Sequence, residues 1–123
     1  MSRRVLAVDD SATVRSSLKL VLQEAGCDLV LAADGEEALN KIKRSKEKFH
    51  LIITDLNMPK MNGIELIKAV RSLPDYRFVP ILMLTTESQA DKKLEGKKAG
   101  ATGWIVKPFT PEQLIGVIQK VLR

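Results

Sequence analysis

The sequence is poor in the residues that build disulfides, metal–sulfur sites and aromatic surfaces. Its 123 residues include one cysteine, one histidine and 4% aromatic residues. Cys27 has no second cysteine with which to form an internal disulfide, and Cys27 and His50 alone do not make a zinc site. These shortages exclude a disulfide scaffold and a zinc-dependent function.

Long apolar runs are also missing from the sequence. No apolar stretch approaches the ~20 residues needed to cross a bilayer. The segment Met1–Arg4 leads directly into the first predicted strand and leaves no room for a secretory signal. The sequence therefore predicts a cytoplasmic protein with no membrane partner.

The charge of the chain is basic, at +5. The basic residues cluster in Lys41–Lys48 and Lys92–Lys98, where they are mixed with glutamate and apolar residues in helical patterns. Neither cluster contains an aromatic residue or a nucleic-acid recognition motif. We therefore interpret both as solvent-exposed helix faces and expect no nucleic-acid partner.

Strand and helix patterns alternate five times along the chain, with no linker and no repeat. The strands are short and apolar on both faces, which is typical of a parallel sheet covered by helices on each side. The predicted strands are Arg4–Val8, Asp28–Ala32, Leu51–Thr54, Ile81–Leu84 and Gly103–Val106. The helices are predicted to begin at Ala12, Asp34, Asn62, Ser88 and Thr110, since capping residues stand at or next to these positions.

This pattern predicts one α/β domain, residues 1–123, with a doubly wound (βα)5 architecture. Right-handed crossovers place helices on both faces of the sheet. Acidic residues follow the first and third strands, and the strand order 2-1-3-4-5 of flavodoxin-like folds would make those strands neighbours. We therefore favour that order for the parallel sheet.

Polar residues follow four of the five predicted strands. Asp9 and Asp10 come after the first strand, Asp55 after the third, Thr85 after the fourth and Lys107 after the fifth. Ligands of open α/β sheets bind at the carboxyl ends of the strands, so these side chains should converge at one edge. Each has an ordinary alternative as a capping or loop residue, but the conjunction of all four strand ends favours a functional site.

Three carboxylates at one edge call for a cation. Two unit charges ~4 Å apart cost about 4 kcal/mol at an effective dielectric near 20. An all-oxygen set suits Mg2+, which uses one or two carboxylates and often bridges to phosphate. The set therefore predicts phosphoryl chemistry. Asp55 is the candidate nucleophile, and the pair Asp9 and Asp10 suits the metal. Thr85 can supply a hydroxyl to one phosphoryl oxygen, and Lys107 can supply the positive charge for another. A cis Lys107–Pro108 bond would aim the lysine over the sheet edge.

These residues resemble the receiver domain of the two-component response regulators, most closely the stand-alone chemotaxis regulators. The likeness covers essentially the whole chain. It implies that Asp55 is the phosphoacceptor. It also implies that Mg2+ is bound by Asp10, by Asp9 through water, by Asp55 and by the backbone carbonyl of Asn57. The segments that carry the resemblance are Val8–Ser11, Thr54–Pro59 with Gly63, Leu84–Glu87 and Ala99–Phe109.

The resemblance also implies a switch. Thr85 matches the hydroxyl that moves toward the phosphoryl group, and Lys107 matches the lysine that pairs with it. Trp104 stands where the family has a switch aromatic that is usually Tyr or Phe, so the larger indole is a departure that could damp the switch. Asn57 and Glu87 match two positions that tune the lifetime of the acyl phosphate.

The function implied is that of a single-domain response regulator, not an enzyme, which takes a phosphoryl group from a sensor histidine kinase or a histidine phosphotransfer protein. Its output partner, such as a flagellar motor switch protein, would bind the face formed by the fourth helix, fifth strand and fifth helix. A phosphate sink or relay keeps the same chemistry. A small aspartyl-phosphate phosphatase is disfavoured because Asn57 stands where a second acid/base carboxylate is needed, and the start at Met1 disfavours a detached receiver.

Overall fold

The computed structural model describes residues 3–86 and 90–122. In this part of the chain, strands and helices alternate from β1 to α5, with a short 3-10 turn at Pro74–Tyr76 before β4. The strands are β1 (Arg4–Val8), β2 (Asp28–Ala32), β3 (Leu51–Asp55), β4 (Ile81–Thr85) and β5 (Gly103–Val106). The helices are α1 (Ala12–Glu24), α2 (Gly35–Arg44), α3 (Gly63–Arg71), α4 (Ala90–Ala99) and α5 (Pro111–Val121).

The five strands form one parallel sheet in the order β2-β1-β3-β4-β5. The predicted α/β class and strand order are therefore confirmed. Strand β1 lies between β2 and β3. The chain places β2 on one side of β1 and β3, β4 and β5 on the other, so the strand order reverses between β1 and β3. Asp9 and Asp55 lie at the carboxyl ends of these two strands, which is the position where such sheets bind ligands.

The side chains of alternating strand residues pack into two separate hydrophobic cores, one on each face of the sheet. Leu6, Ile52 and Met83 point into a core shared with α2 and α3. Val5, Ile53 and Leu84 point into the other core, which is closed by Leu18 and Leu22 of α1 and by Leu114 and Ile118 of α5. Because both faces of the three central strands β1, β3 and β4 are buried, the continuous apolar runs of these strands in the sequence are explained.

Capping side chains fix most of the helix starts as predicted. Asp34, Asn62 and Thr110 each accept a hydrogen bond from the backbone N–H three residues later, and Ser11 does the same for α1. The predicted start of the fourth helix at Ser88 lies outside the described residues. Strands β3 and β4 continue one residue further than predicted, so Asp55 and Thr85 are themselves strand residues.

Helix α4 differs from the other helices in how little it buries. Among residues 91–99 only Gly96 is buried, while Leu94 is 58% exposed. A Cβ on Gly96 would overlap the Sδ and Cε atoms of Met83 on β4, so the glycine allows the helix to lie close against the sheet. None of the helices in the described ranges is both long and apolar enough to cross a membrane.

The two residue types that are scarcest in the chain have local roles. The Nδ1 atom of His50 accepts a hydrogen bond of 2.9 Å from the backbone N–H of Arg4, which joins the starts of β1 and β3. Cys27 is half-buried, and burial raises the pKa of its thiol. A raised pKa lowers the fraction of reactive thiolate, in agreement with a packing role for this residue.

Arg71, at the end of α3, ties three loop carbonyls together. Its Nε and NH2 groups donate to the carbonyl oxygen of Gly100 at 3.1 and 2.7 Å. Its NH1 group donates to the carbonyl oxygens of Tyr76 and Val79 at 2.9 and 2.7 Å. The planar guanidinium thus links α3 to the turn before β4 and to the turn after α4.

We expect Arg71→Lys to lower the free energy of unfolding by about 2 kcal/mol, because an ammonium cannot reach all three carbonyls and hydrogen bonds to charged groups contribute about 1.5–3 kcal/mol each. Urea unfolding would measure the loss. The matched control is Arg77→Lys at an exposed position, which should change stability by less than about 0.5 kcal/mol. Equal stability of the two variants would show that the contacts of Arg71 contribute nothing.

Candidate functional site

Three carboxylates meet at the carboxyl edge of the sheet, as the sequence predicts. One oxygen of each of Asp9, Asp10 and Asp55 lies within 4.8 Å of the others. Asp9 is fully buried, Asp55 is 6% exposed, and Asp10 is exposed. The cluster therefore has two buried carboxylates at its base and one at its mouth.

Backbone contacts hold Asp9 in place. Its N–H donates to the carbonyl of Ala32 on β2 at 3.1 Å, and its Oδ1 accepts from the N–H of Ser11 at 2.9 Å. The guanidinium of Arg15 donates to the carbonyl oxygen of Asp9 at 2.7 Å. Sequence reasoning missed Arg15. Its position on α1, one turn after the N-cap Ser11, is the signal that could have pointed to it.

The Asp55 carboxylate has both of its described hydrogen bonds on one oxygen. Its Oδ1 accepts from the N–H of Leu56 and from the Nζ of Lys107, both at 2.9 Å. The backbone of Asp55 is fixed by Gly63, whose missing side chain leaves room for the Asp55 carbonyl oxygen. Within the described residues, Oδ2 is thus the oxygen of Asp55 that remains available for chemistry.

Lys107 bridges the two buried carboxylates. Its Nζ lies 2.9 Å from Oδ1 of Asp55 and 3.6 Å from Oδ2 of Asp9, and its backbone N–H donates to the carbonyl of Thr85. The Lys107–Pro108 bond is cis, as hypothesised. Burial by itself lowers the pKa of Lys107, but the hydrogen bond and charge of Asp55 and the charge of Asp9 outweigh it, so the pKa is raised and the ammonium is retained.

The pKa of Asp55 is raised, and burial is the main cause. The charge of Asp9 adds to the rise, while the contacts with Lys107 and the Leu56 N–H oppose it without cancelling it. A raised pKa means that folding disfavours the ionised carboxylate. One ammonium does not balance three carboxylates, so the site retains an excess of negative charge that a cation would relieve.

Three buried side-chain nitrogen or oxygen atoms lack hydrogen-bond partners in the described part of the chain. One is Nε of Arg4, and the other two, Oδ2 of Asp9 and Oγ1 of Thr85, belong to residues of this site. Unsatisfied buried oxygens are costly, and they are expected where an ion or ligand completes the contacts. Together with the cluster of carboxylate oxygens, they fit a hard divalent cation such as Mg2+.

We expect Mg2+ to raise the melting temperature, because a ligand that binds only the folded state adds about 2.7 kcal/mol at 100 times its Kd. Thermal melting at constant ionic strength would measure the shift. Asp10→Asn, which removes one carboxylate at the exposed mouth, should lose most of it. Asp75→Asn, at an exposed position on the turn before β4, is the control and should keep it. A shift of equal size in both variants would contradict a site at Asp10.

The remaining predicted site residues lie in different environments. Thr85 is fully buried at the end of β4, beside the site. Asn57 is exposed in the loop after β3, and its role as a metal ligand through its carbonyl stays a prediction. Glu87 lies outside the described residues. Trp104 is 41% exposed, with the ammonium of Lys93 5.5 Å from its ring centroid, so its indole lies on the surface in this structure.

An apolar cleft of about 370 Å³ adjoins the site, and sequence reasoning did not find it. Thr13, Val14 and Ser17 of α1 form one wall. Lys107, Pro108 and Phe109 of the loop after β5 form the other. The cleft is lined by Lys107, so it adjoins the site on the side of that lysine.

Fold and site together define a doubly wound α/β domain with an acidic cluster where the strand order reverses. The chain belongs to the family of the response regulator receiver domain, whose model matches residues 5–119. It is of the CheY type within two-component signalling. The resemblance stated from the sequence is therefore confirmed.

Individual relatives agree with this assignment. The chain is 43% identical over 120 residues to a chemotaxis protein CheY homolog of Campylobacter jejuni, covering 97% of this chain and 92% of that protein. It is similar to the chemotaxis response regulator CheY4 of Vibrio cholerae, with a TM-score of 0.93, 52% identity, and coverage of 99% and 100% of the two chains. It is also 37% identical over its full length to the transcriptional regulatory protein PhoP of Bacillus subtilis, of which it covers 50%.

Proposed function

We propose that the protein, residues 1–123, is a single-domain response regulator that accepts a phosphoryl group on Asp55 and uses it to control a protein-binding surface. The observation that carries this proposal is the arrangement around Asp55. One carboxylate oxygen is held by Lys107 and a backbone N–H, while the other remains available beside Asp9, Asp10 and Thr85. A cytoplasmic location and the absence of turnover on small substrates remain predictions.

The chemistry follows from the positions of the side chains. Oδ2 of Asp55 attacks the phosphorus of a phosphohistidine, the new O–P bond forms as the N–P bond breaks, and the imidazole leaves with the electron pair and takes up a proton. Lys107 neutralises charge on the transferring group as a fixed cation. The hydroxyl of Thr85, which has no partner among the described residues, can donate to one phosphoryl oxygen.

Mg2+ bound by Asp9, Asp10, Asp55 and the carbonyl of Asn57 would supply further neutralisation of the phosphoryl oxygens. Asn57 and Glu87 would influence how quickly water reaches the acyl phosphate. We assign these roles by the match to the family, residue by residue.

The phosphoryl donor is a histidine kinase or a histidine phosphotransfer protein. The apolar cleft between α1 and the loop after β5 supports this proposal, because it offers a contact surface directly beside Lys107. A donor that buries its own apolar side chains there would bring its histidine to the mouth of the site.

The output surface is the face formed by α4, β5 and α5. Its described residues include the partly exposed indole of Trp104 and several cationic side chains of α4. Leu122 packs against the core that α1 and α5 close, whereas Ile115 stays partly exposed beside α1. A flagellar motor switch protein is the proposed partner, since the relatives carry the name of chemotaxis proteins.

The test is intact-mass spectrometry after incubation with acetyl phosphate, with and without Mg2+. We expect one phosphoryl adduct that requires Mg2+. The fluorescence of Trp104, which is the single tryptophan of the sequence, should change with the same time course if the output face responds. A folded protein that forms no adduct in either condition would refute the proposal.

A further inference from the structure

A second surface with distinctive chemistry lies at the opposite edge of the sheet from Asp55. It is formed by residues that precede the strands, including Arg3 before β1, Lys48 before β3 and Phe78 before β4. The length of β3 separates this edge from Asp55 by about 13 Å, at the usual rise of ~3.3 Å per residue. We call it the amino-edge surface and define it by Arg3, Lys43, Lys46, Lys48, Phe78 and Leu122.

Phe78 is the most exposed large apolar side chain in the described part of the protein, at 92%. Its neighbour Val79 is buried in the core, so the backbone at this point is anchored while the phenyl ring projects into solvent. Aromatic side chains on a fixed backbone are typical anchors of protein interfaces, since they bury much area and lose little conformational freedom.

Two open clefts lie beside one another at this edge and share Lys48. The first, of about 340 Å³, is lined by Lys43, Lys46 and Lys48 and by a single acidic residue, Asp75. The second, of about 320 Å³, is lined by Phe78, Leu122 and the cation of Arg3. None of the three lysines forms an ion pair with any residue described by the structure. The amino-edge surface therefore combines an apolar anchor with unpaired positive charge.

We propose that the amino-edge surface binds an acidic segment of a partner protein that carries an apolar residue next to its carboxylates. Charge complementarity selects the acidic side chains, and the cleft beside Phe78 takes the apolar one. The apolar lining that Phe78 and Leu122 give to the second cleft matches an apolar side chain, which an uninterrupted phosphate backbone does not offer. The surface is remote from Asp55, so the interaction goes beyond the proposed function and is independent of phosphorylation.

The test is an NMR titration of the isotope-labelled full chain with the peptide Glu-Glu-Leu-Phe-Glu-Glu. We expect the largest shift changes at Lys48, Phe78 and Leu122, with little change at Asp55. Phe78→Ser and Lys48→Glu should each weaken binding by about tenfold, as hot-spot substitutions do. Both positions are exposed, so thermal melting should confirm that both variants fold.

Lys19→Glu is the matched control, because it makes the same charge change at an exposed position on α1 and should alter the affinity less than twofold. Equal weakening by Lys19→Glu and Lys48→Glu would overturn the proposal in favour of diffuse attraction. An absence of shifts at the amino-edge surface would also overturn it. So would tighter binding there of a poly-dT oligonucleotide or of phosphatidylglycerol vesicles, since the surface would then recognise phosphate.

Discussion

The Asp55→Asn variant is expected to take up no phosphoryl group from acetyl phosphate in the presence of Mg2+, whereas the wild type gains one. Asparagine has the same shape as aspartate, and its carbonyl oxygen can still accept the hydrogen bonds that Oδ1 receives from Lys107 and the Leu56 N–H. It replaces the available Oδ2 with an amide nitrogen that has no nucleophilic lone pair. The geometry is thus retained while the reacting atom is removed, and the loss should be complete.

Intact-mass spectrometry measures this loss directly. Asp75→Asn is the control, because it removes a carboxylate from an exposed turn outside the site and should leave the adduct unchanged. A variant with Asp55→Asn that still gained a phosphoryl group would show that another residue is the acceptor. Its melting temperature should be recorded as well, so that loss of reaction is not confused with loss of folding.

The second large effect concerns stability and is expected for Gly63→Ala. A Cβ at this position would overlap the carbonyl oxygen of Asp55 and would lie 3.1 Å from the Cα of Leu56. Both obstacles are backbone atoms at the end of a buried strand, so they cannot move aside as a flexible side chain would. Overpacking typically costs about 1–3 kcal/mol, and the rigid backbone obstacles here place the expected loss near the upper end, at about 3 kcal/mol. Urea unfolding should show the loss, and Asp55 should be displaced with its strand.

Gly116→Ala is the matched control for Gly63→Ala. Gly116 lies within α5, and a Cβ there meets nothing within 4 Å. Because glycine in a helix costs about 0.5–1 kcal/mol relative to alanine, this substitution should stabilise the protein. If both variants had the stability of the wild type, the close approach of Gly63 to Asp55 would be without energetic consequence.

The sequence predicted the sheet and the main site residues because their signals are local. Each buried strand is a short apolar run, and the run ends at the polar residue whose side chain reaches the site. Parallel pairing then brings the ends of β1 and β3 together without further information. This is why Asp9, Asp55 and Lys107 could be assigned to one cluster before their distances were known.

Other features depend on tertiary contacts and are weakly signalled in the sequence. The position of Arg15 one turn after the N-cap places it near Asp9 but does not specify its contact with the Asp9 carbonyl. Nothing in the residue type of Lys60 suggests its positive φ of 68° in the loop after β3. Which oxygen of Asp55 is hydrogen-bonded and which remains available depends on the position of Lys107 after β5. The surface position of Trp104 also depends on its neighbours, and in particular on Lys93 of α4.

Helix α4 has a thermodynamic consequence for the domain as a whole. Helix α3 buries Ile64, Leu66, Ile67 and Val70, whereas α4 places against the sheet a glycine, which has no side chain to bury. Lifting α4 away would expose little apolar area to water, and regions with few buried apolar contacts open at the lowest free energies. Among the helices described, α4 is therefore expected to open at the lowest free energy, and it packs beside the strand that ends at Thr85. The carboxyl end of α4 is held by the hydrogen bonds that Arg71 donates to the carbonyl of Gly100.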